Sequence, residues 1–207
     1  TLMKNSMGSW LKVAGVVVAS GFSRRFGDDK LHVKILDKPL MSWALESIAQ
    51  LDYRAVVLRK MNEKRGLVPS GFTVLVNLNA ERGLSSSLRV AASWTPSDAE
   101  GLAVVLADMP FTKKVVNHLV KVFSSGDFDA VSAGIDGNPV NPVVFSRRVL
   151  HHLITLEGDV GAKTLLKKIN TCVIDFDRRL LTDVDTTEDL TRAVSLAEEL
   201  RRLKYLD

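Results

Sequence analysis

Three observations on this sequence predict an α/β fold with a mostly parallel sheet covered on both faces. Strand-like and helix-like segments alternate along nearly the whole chain. The strand segments, residues 13–20 above all, are continuous β-branched and apolar runs, as expected of strands buried on both faces. With 207 residues, 46% hydrophobic and 25% charged, the chain is long enough to bury a full core.

The elements follow in chain order. Residues 13–20 read as a buried strand and 32–36 as a short extended stretch. Residues 39–51 read as a helix, with Pro39 in the first turn and Leu40, Trp43, Ala44, Ile48 and Leu51 on one face. A strand at 53–58, a short helix at 62–68 and a strand at 72–76 come next. Residues 85–94 form a helix with Ser85 as N-cap, and residues 102–107 a strand ending at Asp108. A helix covers 113–123. Strands at 128–133 and 143–145 are joined by the turn-rich stretch 134–142. Helices at 147–156 and 162–169, a strand at 171–176 and a closing helix at 187–203, capped by Thr186, complete the chain. Such alternation makes a three-layer α/β/α arrangement. Ligands in these folds bind beyond the carboxyl ends of the strands, where the segment 21–30 and Asp108 both fall. With no repeat, linker or low-complexity stretch, residues 1–207 read as a single domain, and residues 1–11 as a flexible or tag-derived start.

Composition narrows the function. The net charge of +4 is spread over separated groups of cations with no interleaved aromatics, which argues against a nucleic-acid surface. No apolar run approaches the roughly 20 residues that span a bilayer, and the first dozen residues lack the pattern of a signal peptide. Cys172 is the one cysteine, so no intrachain disulfide forms and a cytoplasmic location is expected. None of the four histidines has metal-ligand spacing, and all read as structural or exposed.

The segment Val16-Val17-Val18-Ala19-Ser20-Gly21-Phe22-Ser23-Arg24-Arg25-Phe26-Gly27-Asp28-Asp29-Lys30 carries the strongest chemical signal. A buried strand opens into a loop with two glycines, a serine and three cations, a composition suited to phosphate: glycine admits close backbone N–H groups, and Arg and Lys neutralise charge. It is neither a Walker A loop nor a G-x-G-x-x-G fingerprint, because Gly21 and Gly27 enclose five residues and Asp28 follows. It resembles instead L-A-A-G-x-S-x-R-M/F-G-x-x-K, which opens the MobA-like NTP transferases. Five further segments are similar to that family's motifs in the same order. They are Gly83-Leu84-Ser85-Ser86-Ser87-Leu88-Arg89, Ala107-Asp108-Met109-Pro110, residues 137–143, residues 158–163 and residues 183–190. Within the family the resemblance is greatest to molybdenum cofactor cytidylyltransferases.

The resemblance implies a Rossmann-like nucleotidyltransferase fold and transfer of CMP from CTP to the phosphate of molybdopterin, with release of pyrophosphate. It assigns Arg25 and Lys30 to the triphosphate and leaving pyrophosphate, with Ala19, Ser20, Gly21 and Ser23 around the nucleotide. Ser85, Ser86 and Ser87 then face base and ribose from a helix N-terminus. Asp108 is the expected Mg²⁺ ligand, because a carboxylate ending an apolar strand is costly unless paired or metal-bound. Asp185 is the second candidate ligand, with capping of the following helix as its equal alternative, and Asp183 a lesser one. Asn141, Asp159 and Lys163 fall on the acceptor side.

The chain departs from the family pattern there. Asn141 stands in place of His, Val140 in place of Gly, and Lys163 in place of Arg, which keeps the charge without the bidentate fork. Ser20 replaces the residue that is Ala with cytidine and Gly with guanosine in the family, and in size it sides with Ala. The acceptor departures leave open a sugar- or alditol-phosphate nucleotidyltransferase. A non-catalytic nucleotide- or cofactor-binding partner protein, serving a molybdoenzyme transiently, is the alternative of another class.

Overall fold

The computed structural model describes residues 11–21, 30–61, 65–156, 161–203 and 205. The first strand, β1 (Val13–Val18), is buried at every residue. A 3-10 turn at Lys30–His32 and the two-residue strands β2 (Lys34–Ile35) and β3 (Lys38–Pro39) replace the expected extended stretch at 32–36. Helix α1 (Leu40–Ser47) follows, then β4 (Tyr53–Leu58), β5 (Thr73–Val76), α2 (Leu84–Trp94), β6 (Gly101–Leu106) and α3 (Lys113–Ser125). The hairpin β7 (Ala130–Ile135) and β8 (Asn138–Ser146) leads to α4 (Leu150–Ile154), α5 (Gly161–Leu166), β9 (Thr171–Asp175) and α6 (Thr187–Arg202).

Seven strands form one sheet in the order β5-β4-β1-β6-β8-β7-β9. Every pairing is parallel except those of β8, which runs against both β6 and β7. The expected mostly parallel sheet is therefore present. Its two faces carry two apolar cores. Val17, Val56 and Val105 point to the face covered by α1, α3 and α6, while Val16, Val57 and Val104 point to the face of α2, α4 and α5. Gly15 lets α1 come close to β1, since a Cβ there would lie 2.7 Å from Leu51 Cδ1 and 2.8 Å from Ile48 Cβ.

Three local expectations are corrected. The turn-rich stretch 134–142 is not a loop: only Asp136 and Gly137 turn, both at positive φ, as a two-residue hairpin requires. Pro142 is accommodated because the β7–β8 register jumps between Ser132 and Ala133, leaving Asn141 and Pro142 outside the ladder, while Pro139 stays within it opposite Gly134. Ser85 does not cap α2. Gly83, at φ +83°, occupies the N-cap and no side chain caps the helix. The helix expected over 62–68 is, among the described residues, a single 3-10 turn at Arg65–Leu67. The Thr186 cap is present as a reciprocal capping box with Asp189. Among the described residues no helix is long and apolar enough to cross a membrane.

Candidate active site

Parallel strands place their carboxyl ends along one edge, and the polar residues of interest follow directly from β1, β5 and β6. β1 continues into Ala19 and Ser20, held by the Ala19 N–H donating to Val57 O at 2.9 Å. β6 continues into Ala107 and Asp108, with the Ala107 N–H donating to Val18 O at 3.0 Å. The segment before α6 is fastened to the same edge: the Val184 N–H donates to the Asp108 carbonyl at 3.0 Å. The capping-box carboxylate of Asp189 accepts from the Asp185 and Thr186 N–H groups at 3.2 and 2.9 Å. Residues far apart in sequence are thus fixed by backbone bonds rather than by side chains alone.

Lys30 lies where these segments meet. Its ammonium donates to Asp108 Oδ2 at 2.9 Å and to Asp185 Oδ1 at 2.7 Å. The Lys30 side chain is 10% exposed, that of Asp108 23% and that of Asp185 39%. Burial pulls the Lys30 ammonium down, but the two carboxylates outweigh it and hold the group above the ordinary lysine value. Asp183 stands beside them. Desolvation on its protein-facing side, together with the charges of Asp185 and Asp108, pushes its carboxyl upward, while its other side stays open to solvent.

Two clefts adjoin this cluster and share Leu84 and Leu106 in their walls. The first, about 290 Å³, is lined by Ser20, Gly21, Lys30, Gly83, Ser87 and Asp108 among others. The second, about 480 Å³, has the apolar walls Leu88, Val104, Phe145 and Leu166, with Asn141, Lys163 and Asp183 as its polar residues. Of the sequence-predicted site residues, Ala19, Ser20, Gly21, Lys30, Ser87 and Asp108 come together at the first cleft. Ser85 and Ser86 are buried beside it at the start of α2. Asn141 and Lys163 come together at the second. Asp185 joins through Lys30, with its capping role passing to Thr186 and Asp189. Ser23, Arg25 and Asp159 lie outside the described residues.

The chemistry of the donor set fits a divalent cation. Asp108 Oδ1 is buried and has no hydrogen-bond partner among the described residues, a costly arrangement unless a cation or donor completes it. Mg²⁺-type ions take one or two carboxylates and fill the remaining positions with phosphate oxygens and water. Among the described residues no cluster of three or more His, Cys, Asp or Glu side chains could hold a metal ion.

Sequence reading missed Asn77, the residue directly after β5. It is 2% exposed, and its amide reaches Ser86 and Ser87. No motif marks it, although its place at a strand's carboxyl end is the same signal that marks Asp108. Of the two states expected for the histidines, structural or exposed, the second holds: His32, His118, His151 and His152 are all exposed, with His118 edge-on against Phe176 and His151 against His152.

Comparison with known proteins places this geometry in context. The family profile described as the MobA-like NTP transferase domain matches residues 15–173, more than half of the chain. The purine catabolism protein PucB of Bacillus subtilis is 27% identical over 194 residues, covering 84% of this chain and 92% of its own. A probable molybdenum cofactor guanylyltransferase of Natranaerobius thermophilus is 22% identical, covering 87% and 94%. Among solved structures, Rv0371c of Mycobacterium tuberculosis superposes with a TM-score of 0.76 at 24% identity, covering 89% of this chain and 98% of that one. The same protein has been solved in complex with manganese, with a TM-score of 0.72 at 23% identity and the same coverages.

Proposed function

The chain belongs to the MobA-like NTP transferase family, and from that premise we propose that it transfers CMP from CTP to the phosphate of molybdopterin, releasing pyrophosphate. The observation that carries this reading is the position of Lys30, Asp108 and Asp185 beside two adjoining clefts, the first setting Ser20, Ser87, Lys30 and Asp108 among apolar residues and the second setting Asn141, Lys163 and Asp183 among apolar residues. Nucleotidyl transfer must bring two anions together and stabilise a growing negative charge on the leaving group.

In this reading an oxygen of the acceptor phosphate attacks the α-phosphorus. A new P–O bond forms, the bond to the β-phosphate bridging oxygen breaks, and the electron pair leaves with pyrophosphate. Lys30 holds positive charge beside the triphosphate, with Arg25 from the preceding loop as its expected companion. The uncapped start of α2 leaves N–H groups for the nucleotide. Ser20 and Ser87 face the base, Ala19 and Gly21 line the same cleft around the nucleotide, and Ser23 is a further expected nucleotide-binding residue. Asn141, Asp159 and Lys163 hold the acceptor. Asp108 and Asp185 are the residues that would hold a divalent cation, which supplies Lewis-acid stabilisation of phosphate charge when bound. The manganese complex of Rv0371c supports divalent-metal use, with Mg²⁺ the proposed ion here.

One observation favours GTP as a second reading for the donor: the relative from Natranaerobius thermophilus is named a probable guanylyltransferase. Ser20 favours CTP, because its side chain occupies a position that the guanosine-type pattern leaves to glycine. Pyrophosphate release with CTP, GTP and ATP, with Mg²⁺ and molybdopterin as acceptor, separates the readings. Release with CTP alone, lost in Asp108→Ala, is the expected result. Release with GTP alone keeps the reaction and overturns the base, and release with none overturns the proposal.

A further inference from the structure

Behind the first cleft lies a closed hydrogen-bond network whose donors and acceptors can be counted. Asn77, Ser86, Ser87 and Ser20 are all buried, Ser87 being 1% exposed and Ser20 4%. The Asn77 side-chain oxygen accepts from the Asn79 backbone N–H at 3.0 Å. A backbone N–H can only donate, so this contact fixes which way the amide faces. Its two hydrogens therefore go to Ser86 Oγ at 2.8 Å and Ser87 Oγ at 2.9 Å. Ser86 spends its own hydrogen on the Gly83 carbonyl at 2.8 Å. Ser87 and Ser20 share a hydrogen bond at 2.6 Å, in which either oxygen can donate.

The count closes whichever of the two donates. Two hydroxyls carry two hydrogens, one hydrogen makes their mutual bond, and Asn77 gives a hydrogen to the pair rather than taking one. One O–H remains without an acceptor among the described residues, on a pair that lines the first cleft. We propose that Asn77 is a positioning residue that sets the hydrogen-bond polarity of this cleft, making the Ser20–Ser87 pair present one donor to a hydrogen-bond acceptor on the nucleotide base. This rests on the reading of the first cleft as the nucleotide site. A carboxylate at position 77 would reverse the chain: Ser87 would donate to it, Ser20 would donate to Ser87, and the cleft would face lone pairs only.

The test compares affinities for CTP and GTP with that for ribose 5-triphosphate, which lacks the base. The ratio cancels any general effect of the added charge on triphosphate binding. Asn77→Asp is expected to lower the ratio for the preferred nucleotide about tenfold, the worth of one good hydrogen bond. In a Ser20→Ala/Ser87→Ala background the same substitution is expected to leave the ratio unchanged. An unchanged ratio in the otherwise unaltered protein, or an equal fall without the hydroxyls, overturns the proposal and leaves the nucleotide reading standing. If the unaltered protein binds neither nucleotide better than ribose 5-triphosphate, both fall. Should Asn77→Asp not fold, neutron diffraction on the unaltered protein decides. Amide deuterons on Ser86 and Ser87 and one hydroxyl deuteron aimed into the cleft are expected, and a Ser87 deuteron on Asn77 Oδ1 overturns the proposal.

Discussion

The two clefts are built by different parts of the sheet. The first sits where parallel neighbours β1, β4, β5 and β6 end together, and backbone bonds such as Ala19 N–H to Val57 O lock those ends to one another. Its polar groups are tied in pairs and networks: Lys30 with two carboxylates, Asn77 with two serines. The second sits beside β8, the antiparallel strand of the seven-stranded sheet, at a register shift that takes Asn141 and Pro142 out of the ladder. Its walls are mostly side chains of Leu, Val and Phe, with three polar residues. A parallel strand end is a rigid place to mount charge, whereas a bulged hairpin can change its side chains at little cost to the sheet. The family pattern follows part of this division: the first cleft keeps its Lys and Asp but departs at Ser20, while the departures at positions 140, 141 and 163 gather at the second.

That division is tested most severely at Lys30. Lys30→Met should lower turnover about 10²–10³-fold, the usual cost of removing one group that stabilises transition-state charge. It should also destabilise the fold at neutral pH by about 2 kcal/mol, below the full cost of breaking a buried pair because Asp185 is partly solvated. Because the folded state raises the Lys30 pKa, this contribution is fully present below the ordinary lysine value. It is lost as pH rises through the raised one. Denaturant midpoints of the two proteins should therefore converge only in strong alkali.

Substitutions at the second cleft should act more weakly and on a different constant. Asn141→His and Lys163→Arg, which restore the family's residues, should change the acceptor KM by up to about tenfold, the scale of one or two hydrogen bonds. The nucleotide KM should stay the same. Steady-state kinetics with each substrate varied in turn checks this, and a change confined to the nucleotide KM would dissolve the boundary between the clefts.

Asp183 offers the smallest effect. Its carboxyl is pushed upward in the folded protein, so its charge opposes folding at pH 7. Asp183→Asn should raise Tm by about 1–2 °C there, because the exposed side of the group screens most of the cost. A raised folded pKa means that the cost is absent below the ordinary carboxylate range and grows as pH climbs through it. The gain in Tm should accordingly vanish in acid, as thermal melts at several pH values would show.

What was legible in the sequence follows the same division. β1 and β6 are unbroken apolar runs because both faces of a central parallel strand are buried, and their ends point to Lys30 and Asp108 without further help. The β7–β8 hairpin is hidden by Gly134, Gly137, Pro139 and Pro142, whose composition reads as a loop. Only the Asp136-Gly137 pair betrays the turn, and only tertiary pairing shows that Pro142 needs no ladder bond. The Asp185 position was readable as a motif, yet its link to Lys30, 155 residues earlier, is a product of the fold. Asn77 was readable only as a polar residue at a strand's carboxyl end, since a single amide there becomes meaningful only when Ser86 and Ser87 are brought within reach of it.

The most direct test is pyrophosphate release at saturating nucleotide and acceptor, measured side by side for the unaltered protein, Asp108→Asn and Asn141→His. Asp108→Asn removes a charge from the first cleft without changing its shape, and should lower kcat about a thousandfold. Asn141→His should keep kcat within about tenfold and alter the acceptor KM alone, as loss or gain of a binding contact does. Turnover that survives Asp108→Asn and collapses in Asn141→His would place the chemistry at the second cleft and contradict this account.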